Sequence, residues 1–127
     1  MSGEAQERAD VALKRRYRLR RREDFQRLRH EGTTLPHKTL LLSISPNPLG
    51  HNRYGFVVSR QVGSAAARNR VRRLLQEVVR ALHSSMEAGF DVVVVARRDL
   101  VGKRYEDIFR TVQQMFRQAG LITEDSQ

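Results

Sequence analysis

The sequence predicts one α+β domain with the element order α-β-β-α-β-α, its helices packed on a sheet of three or four strands. Three observations carry this. An apolar stripe of helical period runs from Val71 to Met86. A continuous β-branched run, Phe90 to Ala96, has the character of a centrally placed strand. A second strand-like stretch precedes the stripe, so strand, long helix and strand follow one another. The 127 residues suffice for one core and are too few for two.

Residues 1–13 are polar and without period, which predicts a disordered tail, and 121–127 predict a second one, leaving 14–120 as the domain. Arg22 to Glu31 predicts a short helix. Glu23 and Asp24 lie in its first turn, Phe25 and Leu28 share a face, and Gly32 stands where a stop is expected. Lys38 to Ser45, with Leu40, Leu41, Leu42 and Ile44, suits a strand, as does Arg53 to Ser59. Pro46-Asn47-Pro48-Leu49-Gly50 between them has turn composition, so the two strands are expected to form an antiparallel hairpin. Ser64 fits the N-cap of a long helix reaching about Ala88, with Val71, Leu74, Leu75, Val78, Val79, Leu82 and Met86 on one face. The unit from 53 to 97 implies parallel pairing of the strands that flank this helix. Arg104 to Ala119 is the last helix, with Gly120 at its C′ position.

Charge speaks to partners. Lys and Arg number 24 against 14 Asp and Glu, giving +10, and Glu4, Glu7, Asp10, Glu124 and Asp125 sit in the tails. The body is therefore more basic than the total, and such an excess attracts polyanions. Three lysines accompany 21 arginines. Cysteine is absent, which excludes disulfides and thiolate metal sites. The longest apolar stretch, Val92 to Ala96, is far shorter than the roughly 20 residues that cross a bilayer. With no apolar signal segment at the start, a cytoplasmic location and no membrane partner are expected.

The guanidinium groups cluster twice. Lys14 to Arg29 holds nine Lys and Arg residues, Arg18, Arg20, Arg22 and Arg29 among them. The long helix opens with Arg68-Asn69-Arg70 and continues with Arg72-Arg73. These charges repel one another, and Glu77 alone is placed to relieve them, by pairing with Arg73. They also occupy the first turns, where the helix dipole disfavours cations. Positive charge set against both preferences points to an external anion, and helix-end amides with arginine make a phosphate site. Phe25 fits either a base-stacking residue or a core residue.

Side-chain catalysis finds no constellation. His30, His37, His51 and His83 occur singly, without metal-ligand spacing. Glu23-Asp24 and Glu106-Asp107 are adjacent pairs whose members diverge by about 100° on a helix. No catalytic residue, no protein-held metal and no small-molecule substrate are expected.

Two stretches carry a family resemblance. Arg20-Arg21-Arg22-Glu23-Asp24-Phe25-Gln26-Arg27, closing at Gly32, resembles the first-helix signature of the bacterial ribonuclease P protein component. Val58-Ser59-Arg60-Gln61-Val62-Gly63-Ser64-Ala65, continuing through Arg68-Asn69-Arg70-Val71-Arg72-Arg73-Leu74, resembles its basic central motif. The resemblance covers about 14–120. It implies a two-layer sandwich like the second domain of ribosomal protein S5, with a left-handed crossover where the general rule gives a right-handed one. It also implies an enzyme subunit: the protein binds a catalytic RNA, and that RNA, with Mg2+ bound mainly by RNA and substrate, removes the 5′ leader of precursor tRNA. Phe25, with Arg18, Arg20, Arg22 and Arg29, would meet the leader; Arg60, Arg68, Asn69, Arg70, Arg72 and Arg73 would face the catalytic RNA. Arg29 stands where relatives often carry a second aromatic, and Ser43 where some carry Tyr, which implies a cleft that relies more on charge. The rival readings are a ribosomal-type RNA-binding protein of the same fold and a protein-only nuclease.

Overall fold

The computed structural model describes residues 17–123; the expected tail 1–13 lies outside them. The elements are α1 (Arg22–Glu31), β1 (Thr33–Pro36), β2 (Leu40–Pro46), β3 (Arg53–Val58), α2 (Ala65–Leu82), β4 (Phe90–Ala96) and α3 (Tyr105–Gln118). The strands form one sheet in the order β1-β2-β4-β3. β4 runs parallel to β3 and antiparallel to β2. The α+β architecture and the parallel pairing across the long helix are as the sequence predicts.

The expected β2–β3 hairpin is a mispairing, because β4 lies between these strands. Its composition explains the insertion. Val92 and Val94 face one side of the sheet, Val93 and Val95 the other, and a strand apolar on both faces is satisfied only at the centre. The hairpin partner of β2 is β1, four residues with no apolar alternation by which to predict them.

α2 and α3 cover one face. Val71, Leu75, Val78, Val79 and Leu82 from α2 meet Ile108, Val112, Met115 and Phe116 from α3 over Leu40, Leu42, Tyr54, Val92 and Val94. Full burial of each such side chain contributes about 1.5–3 kcal/mol. Ser64 caps α2 through a hydrogen bond from the Ala67 amide (3.2 Å). The helix ends at Leu82, short of the expected Ala88, because His83–Ser85 tighten into a 3-10 turn closed by the Met86 amide on the His83 carbonyl. Gly120 terminates α3 with φ +80, which a side chain would disfavour. The folded body runs beyond 120, the expected domain end: Leu121 and Ile122 are buried in this core, so neither belongs to a tail.

α1 lies on the opposite face, where Leu28 and Leu19 pack on Val93. The chain at Gly32 is extended, so its glycine answers to space rather than backbone angle. A Cβ there would stand 2.6 Å from the Ile44 and Leu28 carbonyl oxygens.

Candidate nucleic-acid interface

β3 is one edge of the sheet, opposite β1, and the segment leading into α1 runs along it. Arg18 bridges to Tyr54 in parallel fashion, and the Leu19 amide donates to the Tyr54 carbonyl at 2.8 Å. The ring of Tyr17 anchors this segment edge-on against His51 and His83. Beneath it the Tyr54 hydroxyl meets His83 Nδ1 at 2.7 Å, and Asn52 Nδ2 donates to that hydroxyl at 3.1 Å. Burial pushes the Tyr54 phenol up and the His83 imidazole down, so both favour their neutral forms at neutral pH.

From this edge the polypeptide turns into α1 and swings Phe25 over β3. A Cβ on Gly55 would stand 2.7 Å from Phe25 Cε1 and Cζ, so the ring rests directly on glycine backbone. Phe25 is half-buried: one side packs against the Leu19–Leu28–Val93 cluster, while the residue also lines an open hollow of about 240 Å³. It thus serves core and cleft together. Arg18, Arg20, Gly55, Phe56, Arg72 and Gln76 also line the hollow, and among the described residues no carboxylate does. Tyr54 lines it too, and Phe56 packs against the core that α2 and α3 cover.

Arg72 and Gln76 reach this hollow because, at 100° per residue, both leave α2 on the flank beside its buried stripe. Arg72 Nη1 donates to Asn69 Oδ1 at 2.9 Å. Arg70 leaves the other flank and lines a separate hollow with Ala66, Ala67, Val101 and Lys103. Arg73 and Asn69 are exposed, Arg68 is half-buried with no hydrogen-bond partner for Nε, and Arg60 is exposed after β3. Glu77 pairs with Arg80 (3.3 Å) rather than with Arg73, the partner expected for it. Among the described residues, Arg60, Arg68, Arg70, Arg72 and Arg73 form no ion pair. Of the predicted leader residues, Arg18, Arg20 and Phe25 come together, whereas Arg22 and Arg29 are exposed on α1 and do not line the hollow.

Two other arginines are spent internally. Asp91 at the start of β4 is fully buried. It accepts from Arg53 Nε (2.9 Å) and Nη2 (2.8 Å), Arg27 Nη2 (2.7 Å) and Asn47 Nδ2 (2.8 Å). Burial alone would push its carboxyl up, but the bonds from Arg53, Asn47 and Arg27 outweigh that and hold it below the usual carboxylate range. Asp24 adds longer contacts to Arg27 (3.6 Å) and Arg53 (3.9 Å). This cluster clamps α1 to the sheet. A lone acid at the head of an apolar run was its one trace in the sequence.

Among the described residues no three acidic or imidazole side chains gather where they could hold a metal ion, and no helix is long and apolar enough to cross a membrane.

The family model for ribonuclease P matches residues 13–120. The ribonuclease P protein component of Roseiflexus castenholzii is 36% identical over 111 residues, spanning 87% of this chain and 91% of that protein. The corresponding protein of Chloroflexus aurantiacus is 40% identical over 111 residues, spanning 87% and 82%. The RNase P protein from Thermotoga maritima superposes with a TM-score of 0.74 at 28% identity, covering 80% of this chain and 96% of that one. A Staphylococcus aureus RNase P protein mutant, described as defective in mRNA degradation, superposes with a TM-score of 0.81. At 24% identity, over 89% and 96% of the two chains, that likeness is one of fold.

Proposed function

The chain belongs to the ribonuclease P protein family, and on that premise we propose that it is the protein subunit of a bacterial ribonuclease P. It binds the catalytic RNA and the 5′ leader of precursor tRNA and assists the RNA in cutting the leader away. The observation that carries this reading is the convergence of Arg18, Arg20, Phe25 and Arg72 on one hollow. Guanidinium forks suit phosphate oxygens, and an aromatic ring beside them suits a base. The remaining arginines of the α2 motif, with Asn69 and Arg60, extend the surface for the catalytic RNA.

Mg2+ in such an assembly supplies charge neutralisation at the scissile phosphate. On this reading the ions are held mainly by the RNA and its substrate. This chain's own part is to bind and orient phosphate. Arg53 and Arg27 are excluded from that part by Asp91.

Adding the purified chain to a bacterial ribonuclease P RNA at low Mg2+ tests the assignment. Restored cleavage of precursor tRNA is expected; no effect on cleavage would refute it. Within that assay, Phe25→Ala is expected to weaken precursor binding by about 5- to 150-fold, the value of roughly 1–3 kcal/mol for a stacked base. Mature tRNA, which has no leader, should lose little. Equal losses for both would mark Phe25 as a packing residue only.

A further inference from the structure

The basic surface does not end with α2. Across the sheet, Leu40, Ala96 and Val58 stand in one row of paired residues. The chain therefore leaves β3 toward Arg60 and α2, enters β2 from Lys38, and leaves β4 toward Arg97 and Arg98, all at one end of the sheet. The two loops at that end are tied together, since the Arg97 amide donates to the Thr39 carbonyl at 2.9 Å.

Between them opens a hollow of about 450 Å³, sharing no lining residue with the one beside Phe25. Its charged walls are Lys38, Lys103, Arg110 and Asp107; Asp107 lies 3.8 Å from Arg110, and neither lysine forms an ion pair among the described residues. Thr111 and Gln114 supply uncharged donors, over an apolar floor of Leu100 and Ile108. Lys103 and Leu100 also line the hollow that holds Arg70. A positive track thus runs from the α2 motif over Lys103 to Lys38. Arg97, Arg98 and Arg104 are exposed along the same loop, and none forms an ion pair among the described residues.

We propose that this track is a second phosphate-binding groove, and that it holds a stretch of RNA backbone continuing past Arg70, away from the leader hollow. Open shape, an excess of cations over the single acid in its wall, and uncharged donors suit a run of phosphodiesters, which needs charge along a line rather than an enclosed pocket. Lysine acts here as a point charge, so contact with the backbone is expected without base selectivity.

The inference rests on the RNA-binding reading above, and one experiment separates the two. Binding of the full chain to a transcript of a bacterial ribonuclease P RNA is measured against salt concentration, for wild type, Lys38→Ala/Lys103→Ala and Arg70→Ala/Arg72→Ala. Each phosphate contact contributes about 0.7–0.9 to the slope of log affinity against log salt. The lysine pair is expected to flatten the slope by about 1.5 and to weaken binding roughly tenfold near 0.15 M salt. Lys38→Arg/Lys103→Arg should restore both, and the side chains are exposed, so circular dichroism should report an unchanged fold. A wild-type slope in the lysine variant, while the arginine variant is flattened, overturns the groove alone. Failure of the wild type to bind the transcript overturns both readings.

Discussion

Replacing Asp91 by alanine is expected to lower the stability of the fold by about 3–5 kcal/mol, because removing one member of a buried ion cluster strands the others. The carboxylate is fully buried and accepts four hydrogen bonds, three of them from guanidinium groups. Its loss would leave Arg27 and Arg53 facing each other across a void and release α1 from the sheet. Asp91→Asn, which keeps shape and loses charge, should cost less. The acid dependence has a definite sign. Asp91 has its carboxyl held low in the fold, so the contribution is complete above the unfolded carboxyl value of about 3.9. It is lost as pH falls through the lower, folded value. Urea unfolding of wild type and Asp91→Asn between pH 7 and 2 should therefore show a gap that narrows below about pH 4. A gap constant across that range would mean that folding does not hold the Asp91 carboxyl below its unfolded value.

That cluster also marks the limit of what could be read from the chain. The periodic elements were legible: the stripe from Val71 to Leu82 placed α2, Ser64 marked its start, and the valines of β4 announced a strand buried on both faces. Periodicity reports which side of an element is buried, not what covers it. Hence the sequence marks β4 as central and yet pairs β2 with β3. The guanidinium runs were legible as composition, yet their convergence depends on residues 18–19 lying along β3, a non-local pairing with no local signal. Phe25 illustrates the same point. Its two possible roles were even in the sequence, and Gly55, thirty residues on, is what lets the ring serve both. Lys38, Lys103 and Arg110 are scattered singly through the chain, so nothing drew them together before the fold did.

The largest functional loss is expected from the α2 motif. Arg68, Arg70, Arg72 and Arg73 form no ion pairs among the described residues, so their charges are free for phosphate. Changing all four to alanine removes up to four contacts, at about 0.7–0.9 each in the salt slope, and should weaken RNA binding by on the order of a hundredfold or more. Alanine favours helix, so α2 should persist. Arg18→Ala with Arg20→Ala should act in the same direction at about half the size, since both line the hollow that Arg72 reaches. The decisive measurement is the salt dependence of binding to a bacterial ribonuclease P RNA carrying precursor tRNA, for wild type and these two variants. Slopes reduced by about 3 for the α2 variant and about 1.5 for the Arg18/Arg20 variant are expected. Unchanged slopes in well-folded variants would mean that both clusters face solvent and that RNA is held elsewhere.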